Sequence, residues 1–271
     1  MAFKRGQEVF RDPKPFIYFV DPKYRKVVCD WCLKMCEYEG ILKKCTGCKW
    51  AYYCDQTCQK EAWNSHHKSE CKYLQNIPQQ VKELSTGTQG LYLVLMKIIL
   101  KLKSKEREFV QLPNGKKRYF ADLVSNTDHL RGDTDWCKFC ESTYEQFRVW
   151  LGAIPSFAEC FEILGKWDAN STGLYTMDFD DPTHVATGLY LGISSLDHSC
   201  APNASWFNVG KEMVVRTIED VNNFSEIRIF YFGAVHAHQK TSERKKYLKR
   251  AYSFDCTCMR CEDPNSDAKF Y

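Results

Sequence analysis

Cysteine is the residue whose number and spacing first point to chemistry. The chain has 15 cysteines in 271 residues, and most fall in two blocks. The first block reads Cys29-x2-Cys32, Cys45-x2-Cys48, Cys54-x3-Cys58 and His66-His67-x3-Cys71. Two residues between cysteines let both sulfurs reach one ion from a tight turn, and sulfur with imidazole is a donor set of tetrahedral zinc. Eight such ligands serve two ions. His67 and Cys71 lie four apart and share one face of a helix, which favours His67. His66 competes for the same role, since a small shift in the turn would place it instead. Reduced structural thiols are the weaker reading for so many pairs. A block of 43 residues cannot bury much apolar surface, so metal must replace a core.

The second block is Cys256-x-Cys258-x2-Cys261, three cysteines that lack a fourth ligand. Cys200 is the natural donor. An all-cysteine zinc site would then tie the C-terminal segment to the polar loop Asp197–Asn203. Twelve ligands in all predict three zinc ions. Cys36 is left over and reads as a packed thiol. Cys137-x2-Cys140 has no second pair to complete a site, so buried thiols are expected there.

The elements that must position these groups belong to an ordinary globular chain. Hydrophobic residues make up 44% and charged residues 27%, which excludes a disordered tail, a collagen-like chain and a pure coiled coil. The net charge of +4 is too small to imply a nucleic-acid partner. The first ten residues are charged and carry no apolar run, so no signal peptide is expected, and zinc outranks disulfides. The longest apolar stretch, Leu91–Leu102, contains Lys97 and Lys101 and falls short of the ~20 residues that span a bilayer. No membrane partner is expected.

Phe16–Val20 reads as a strand before the Asp21-Pro22 turn. Residues 79–105 and about 144–164 read as helices, the second interrupted near Pro155. Val214, Val215 and Ile218, then Ile227, Ile229 and Tyr231, suggest short strands. Lys240, Arg244, Lys245, Lys246, Lys249 and Arg250 read as the solvated face of a basic helix.

Residues 29–71 resemble a MYND zinc finger, down to the Tyr52-Tyr53-Cys54 and Cys58-Gln59-x3-Trp63 neighbourhoods. The resemblance implies two interleaved sites: Cys29, Cys32, Cys54 and Cys58 for one ion, Cys45, Cys48, His67 and Cys71 for the other. It also implies binding of proline-containing peptides. Residues 29–72 carry seven lysines, no arginine and six acids, a balance that argues against direct nucleic-acid binding.

The remainder resembles the SET-domain protein lysine methyltransferases of the SET-and-MYND (SMYD) family, in a form shortened at both ends. The family motif Asn-His-Ser-Cys-x-Pro-Asn is matched from Asp197 to Asn203, and Phe224–Tyr231 looks like the family's Gly-Glu-Glu-Leu-x-x-x-Tyr strand. Ala251–Cys256 resembles the start of the post-SET knuckle. The implied fold is α+β: a split, β-rich SET domain with an inserted MYND finger, a helical insertion and a post-SET zinc knuckle. The expected segments are 1–28 (N-terminal SET fragment), 29–71 (finger), 72–165 (helical insertion), 166–240 (SET core) and 241–271 (post-SET).

The implied activity is methyl transfer from S-adenosylmethionine to lysine on a histone or non-histone protein, in a chromatin regulator of nucleus and cytoplasm. Tyr231 matches the catalytic, cofactor-contacting tyrosine and Tyr252 a wall of the lysine channel. Phe254 matches a ring packed on the adenine, His198 and Asp197 the cofactor-contacting turn, and Asn170 another cofactor-contacting asparagine.

Several positions depart from the family pattern. No Gly-x-Gly strand precedes Arg5–Phe10, and Asp197 replaces asparagine. Phe224, Ser225 and Thr172 stand where glycine, glutamate and an aromatic are usual. The alternative expectation is therefore a catalytically inactive SET/MYND interaction or transcription-regulatory protein.

Overall fold

The computed structural model describes residues 2–104, 107–176, 182–232, 238–263 and 265. The chain opens with strands β1 (Glu8–Asp12) and β2 (Ile17–Val20). The cysteine-rich stretch follows, with strands β3 (Lys43–Lys44) and β4 (Tyr52–Tyr53) and helices α1 (Gln56–Ala62) and α2 (Lys68–Gln75). Next come α3 (Gln79–Lys82), α4 (Thr86–Leu102), the hairpin β5 (Phe109–Gln111) and β6 (Lys117–Tyr119), then α5 (Thr127–Arg131), α6 (Thr134–Leu151) and α7 (Phe157–Asn170). The last part holds β7 (Ser171–Tyr175), β8 (His184–Leu189), β9 (Asp197–His198), β10 (Ala204–Val209), β11 (Glu212–Thr217) and β12 (Arg228–Ile229). Helices α8 (Thr241–Tyr252) and α9 (Met259–Glu262) follow.

The early strands find their partners far along the chain. β1 pairs antiparallel with β11 in the sheet β1-β11-β10, and β2 pairs antiparallel with β8 in the sheet β2-β8-β7. β9 and β12 run parallel, with Asp197 opposite Arg228 and His198 opposite Ile229. The architecture is α+β, with several small sheets. Residues before the finger and residues after the helices thus share one core, in which Tyr18 and Val20 pack with Leu174, Ala186 and Met213. A second core joins β2, the finger and the helices: Phe16 and Ile17 lie with Tyr53, Leu74, Ile98, Phe147 and Leu189.

The finger is docked on the molecule, not strung from it. Its α2 sends Glu70 inward to meet Lys97 of α4 at 2.5 Å, and both side chains are almost wholly buried. Burial works against the Lys97 charge, but Glu70 and Asp30 outweigh it and hold the ammonium above its usual range. Removing one partner leaves a buried, unanswered charge. Glu70→Gln should therefore lower stability by about 3 kcal/mol, while Lys97→Met with Glu70→Leu should recover most of that loss. Equal melting curves for Glu70→Gln and wild type would overturn the pairing.

Helix boundaries differ from the sequence reading where capping intervenes. The stretch 79–105 divides at Ser85, whose side chain accepts from the Thr88 N–H and starts α4 afresh. α6 begins at Thr134, ten residues ahead of Tyr144, because Asp133 accepts from the backbone of Asp135 and Trp136. α7 crosses the expected 165/166 boundary and ends at Asn170. It starts at a Ser156–Glu159 capping box and buries Phe161, Leu164 and Trp167 along one face. The basic helix is not solvated throughout: Arg244 is fully buried. Among the described residues, no helix is long and apolar enough to cross a membrane. Most of the polar tail after Asp263 lies outside the described residues.

Candidate functional site

Three clusters of ligand-type atoms form, each with all its atoms within 4.8 Å of one another. They are Cys29, Cys32, Cys54 and Cys58; Cys45, Cys48, His67 and Cys71; and Cys200, Cys256, Cys258 and Cys261. Every cysteine and histidine predicted as a ligand is in one of them. The histidine choice falls to His67, whose Nε2 lies 3.4 Å from Cys45 Sγ and 3.7 Å from Cys48 Sγ. The reason is local. Residues Trp63–His67 form a single π-helical turn between α1 and α2, and that wider turn sends His66 the other way, to Asp30 at 3.6 Å. Cys36 joins no cluster, and Cys140 and Cys160 are buried among helices.

The geometry suits zinc. Sulfurs at about 2.3 Å from a tetrahedral ion stand roughly 3.8 Å apart. Observed separations are 3.6 Å for Cys32–Cys54, 3.9 Å for Cys45–Cys71 and 3.5 Å for Cys200–Cys261. Burial pushes Cys48 up to about 12 and Cys54 to about 11, so these thiols need a bound cation to ionise at neutral pH. In the third cluster Cys258 goes the other way, down to about 3, chiefly because Cys200 hydrogen-bonds to it. Arg244 reaches the same cluster, 3.8 Å from Cys261 Sγ, and Arg260 donates to the Cys200 carbonyl at 3.3 Å. Two buried guanidinium groups beside four sulfurs suit a site that becomes negative when metallated. The sequence reading missed Arg244; its signal was Leu248, one helical turn on and also buried.

The third cluster anchors an aromatic site. The His198 ring packs on Tyr231 at 5.2 Å, Phe232 at 5.2 Å and Phe254 at 6.0 Å between centroids. The Tyr231 N–H donates to His198 Nδ1 at 3.2 Å, and Tyr252 lies 5.0 Å from Tyr231, ring to ring. Tyr231 and Tyr252, with Asn170, Leu196 and Trp206, line a narrow cavity of about 60 Å³. His198 and Phe254, with Arg228 and Met259, line a cleft of about 430 Å³. Asp197 lines neither: its carboxylate is mostly exposed and faces Arg228 at 3.8 Å. Asn170 spends its amide on the Val124 and Lys166 carbonyls, both at 2.7 Å.

Protonation states follow from burial. Burial pushes Tyr231 up to about 12, so its phenol stays neutral and donates to the Leu196 carbonyl at 2.6 Å. It takes His198 down to about 4, so the imidazole is neutral as well. The turn carrying Leu196 is held from two sides. Asp12 of β1 accepts from the Gly192 N–H at 2.8 Å, and Arg118 of β6 donates to the Ser194 carbonyl at 2.9 Å. Gly192 has to be glycine, since a Cβ there would stand 2.7 Å from Asp12 Oδ2 and 2.8 Å from the Phe10 ring. Asp12 and Arg118 carried no sequence signal, because nothing in an isolated acid or a basic hairpin marks its distant partner. Phe224, at the usual glycine position, is buried edge-on to Phe10 at 6.0 Å.

The MYND finger family matches residues 29–71. Histone-lysine N-methyltransferase SMYD3 of Homo sapiens is 31% identical over 268 residues, covering 97% of this chain and 58% of the relative. Histone-lysine N-methyltransferase ASHR1 of Arabidopsis thaliana is 26% identical, covering 96% and 51%. N-lysine methyltransferase SMYD2-A of Danio rerio is 26% identical, covering 98% and 57%. The chain thus spans between half and three-fifths of the length of these relatives. Their alignments run through nearly all of this chain, the finger included, and on that ground the chain belongs to the SET-and-MYND family.

Proposed function

We propose that the chain is a protein-lysine N-methyltransferase that uses S-adenosylmethionine, with a SET catalytic fold and a MYND finger that docks proline-containing protein segments. The observation that carries this reading is the meeting of Tyr231, Tyr252, His198 and Phe254 on one zinc-type cysteine cluster. They come from three separate parts of the sequence, His198, Tyr231 and the Tyr252–Phe254 stretch, and they match family positions in lysine-channel and cofactor roles.

The residues present fit the cofactor. Phe254 offers an aromatic face beside the neutral His198 ring at a cleft of about 430 Å³. When bound, the cofactor supplies an activated methyl group on a sulfonium. The protein's part is alignment. The narrow cavity between Tyr231 and Tyr252 would receive the lysine side chain between two aromatic rings. An amine that titrates near ~10.4 in water loses its proton more readily in such surroundings. Tyr231 is a neutral phenol fixed by the Leu196 carbonyl, so it orients the amine and takes no proton from it.

Zinc-loaded protein titrated calorimetrically with S-adenosylmethionine should bind it with one-to-one stoichiometry, and a histone mixture should then receive labelled methyl groups. Absence of cofactor binding would overturn the enzyme reading and leave the finger's interaction role.

A further inference from the structure

A cleft of about 850 Å³ opens where the finger, β2, α4 and the β10–β11 turn meet. No residue assigned above to a metal cluster or to the aromatic site lines it. Four lysines and Arg107 line it against two acids, Glu70 and Glu108. Glu70 is consumed by Lys97. Glu108 is shared by two ammonium groups, Lys101 at 2.5 Å and Lys14 at 3.1 Å. Lys211, in the β10–β11 turn, holds its Nζ over the Trp31 ring, 2.9 Å from the centroid, and 5.7 Å from the centre of Tyr18. Among the described residues, no carboxylate forms an ion pair with Lys211; the nearby Asp30 faces His66. Lys14 and Lys101 share one carboxylate, and Lys211 feels Asp30 and the first cysteine cluster but touches no carboxylate, so positive charge is in surplus along the concave wall.

A partly buried cation that touches ring faces and no carboxylate gains more from an incoming carboxylate than an exposed lysine does, because the surrounding dielectric is lower. The Trp31 face is already covered by Lys211, so it is not open to a stacking base, which single-stranded nucleic acid would use. A short run of separated carboxylates suits the arrangement better. We propose that this cleft docks an acidic peptide segment, one carboxylate meeting Lys211 and another the Lys14–Lys101 pair. The site is independent of the methyltransferase reading, since it shares no residue with the aromatic site.

The test uses the zinc-loaded full chain and fluorescence anisotropy at low salt. The probes are a labelled peptide of alternating Glu and Ala, its Lys/Ala counterpart, and a labelled oligo-dT strand. The Glu/Ala peptide should bind and the Lys/Ala peptide should not, with affinity falling as salt rises. Lys211→Gln should weaken binding about tenfold, and Lys14→Gln should weaken it by a smaller factor. Lys246→Gln, on the exposed face of α8, should leave it unchanged. Lys211 also sits near the finger's first cysteine cluster, so zinc content and melting temperature are measured for each variant. If Lys211→Gln loses zinc, the exposed Lys14→Gln decides the matter. Unchanged affinity in Lys14→Gln and in a folded Lys211→Gln would overturn the proposal. So would failure of the Glu/Ala peptide to bind wild type, or tighter binding of oligo-dT.

Discussion

Cys258→Ser is expected to release one zinc ion and to undo the C-terminal knuckle. Wild type should hold three zinc ions per chain by elemental analysis, one for each cysteine cluster, and the variant should hold two. Serine matches cysteine in size, but its hydroxyl does not replace a thiolate as a zinc ligand. The loss should be large, because an intact structural zinc site contributes on the order of 10 kcal/mol to a small fold. The core of this segment consists of Cys200, Phe232, Leu248, Cys256 and Cys261, with rings packed around them. Without the ion the thiols lose the cation that keeps them ionised, and the buried Arg244 and Arg260 lose the negative charge of the metallated cluster beside them. Proteolysis should then cut between Tyr252 and Cys261, and S-adenosylmethionine binding should fall with it, because Phe254 sits inside that segment. One zinc per wild-type chain, or disulfides in freshly purified protein, would overturn the three-site assignment. A Cys258→Ser protein that keeps three ions and resists protease would remove Cys258 from its cluster.

Tyr231→Phe is expected to lower methyl transfer about a hundredfold while leaving the fold and cofactor affinity in place. The ring is what packs: it touches His198 and Tyr252, and phenylalanine keeps both contacts. Only the hydroxyl is lost, together with its 2.6 Å bond to the Leu196 carbonyl. Misalignment of reacting atoms by an ångström costs on the order of 10²-fold in rate, so kcat should drop and KM should change little. The melting temperature should move by a few degrees at most. Cofactor binding with equal turnover in the two proteins would leave the cofactor assignment standing and take Tyr231 out of catalysis. A fall in cofactor affinity matching the fall in rate would make it a binding residue instead.

The parts legible in the sequence are those encoded by short spacing. Cys-x-x-Cys pairs, the three-cysteine knuckle and the Asp197–Asn203 turn each bring their groups together within a few residues, so local geometry is enough to suggest a ligand set. The grouping of Cys200 with residues 256–261 was also accessible, because three cysteines lack a fourth donor and Cys200 is the natural one left to supply it. Strand and helix types could be read from period, but their ends could not. Ser85, Asp133 and Ser156 begin helices through hydrogen bonds to backbone groups, and such residues are equally common in loops.

What only the tertiary structure decided are the relations that depend on distance in the chain. Sequence spacing favoured His67 without excluding His66; one π-helical turn set His67 in the cluster. Arg244 looked like one cation among many on a basic helix, and its burial beside Cys261 follows from how α8 packs on the knuckle. Asp12 and Arg118 become supports of the Leu196 turn only because β1 and the β5–β6 hairpin converge there, from positions roughly eighty to one hundred and eighty residues away. Composition places charged residues at the surface by default. Which few are drawn inward is set by the partner waiting at the other end of the fold, and that partner is fixed by packing, not by neighbours in the chain.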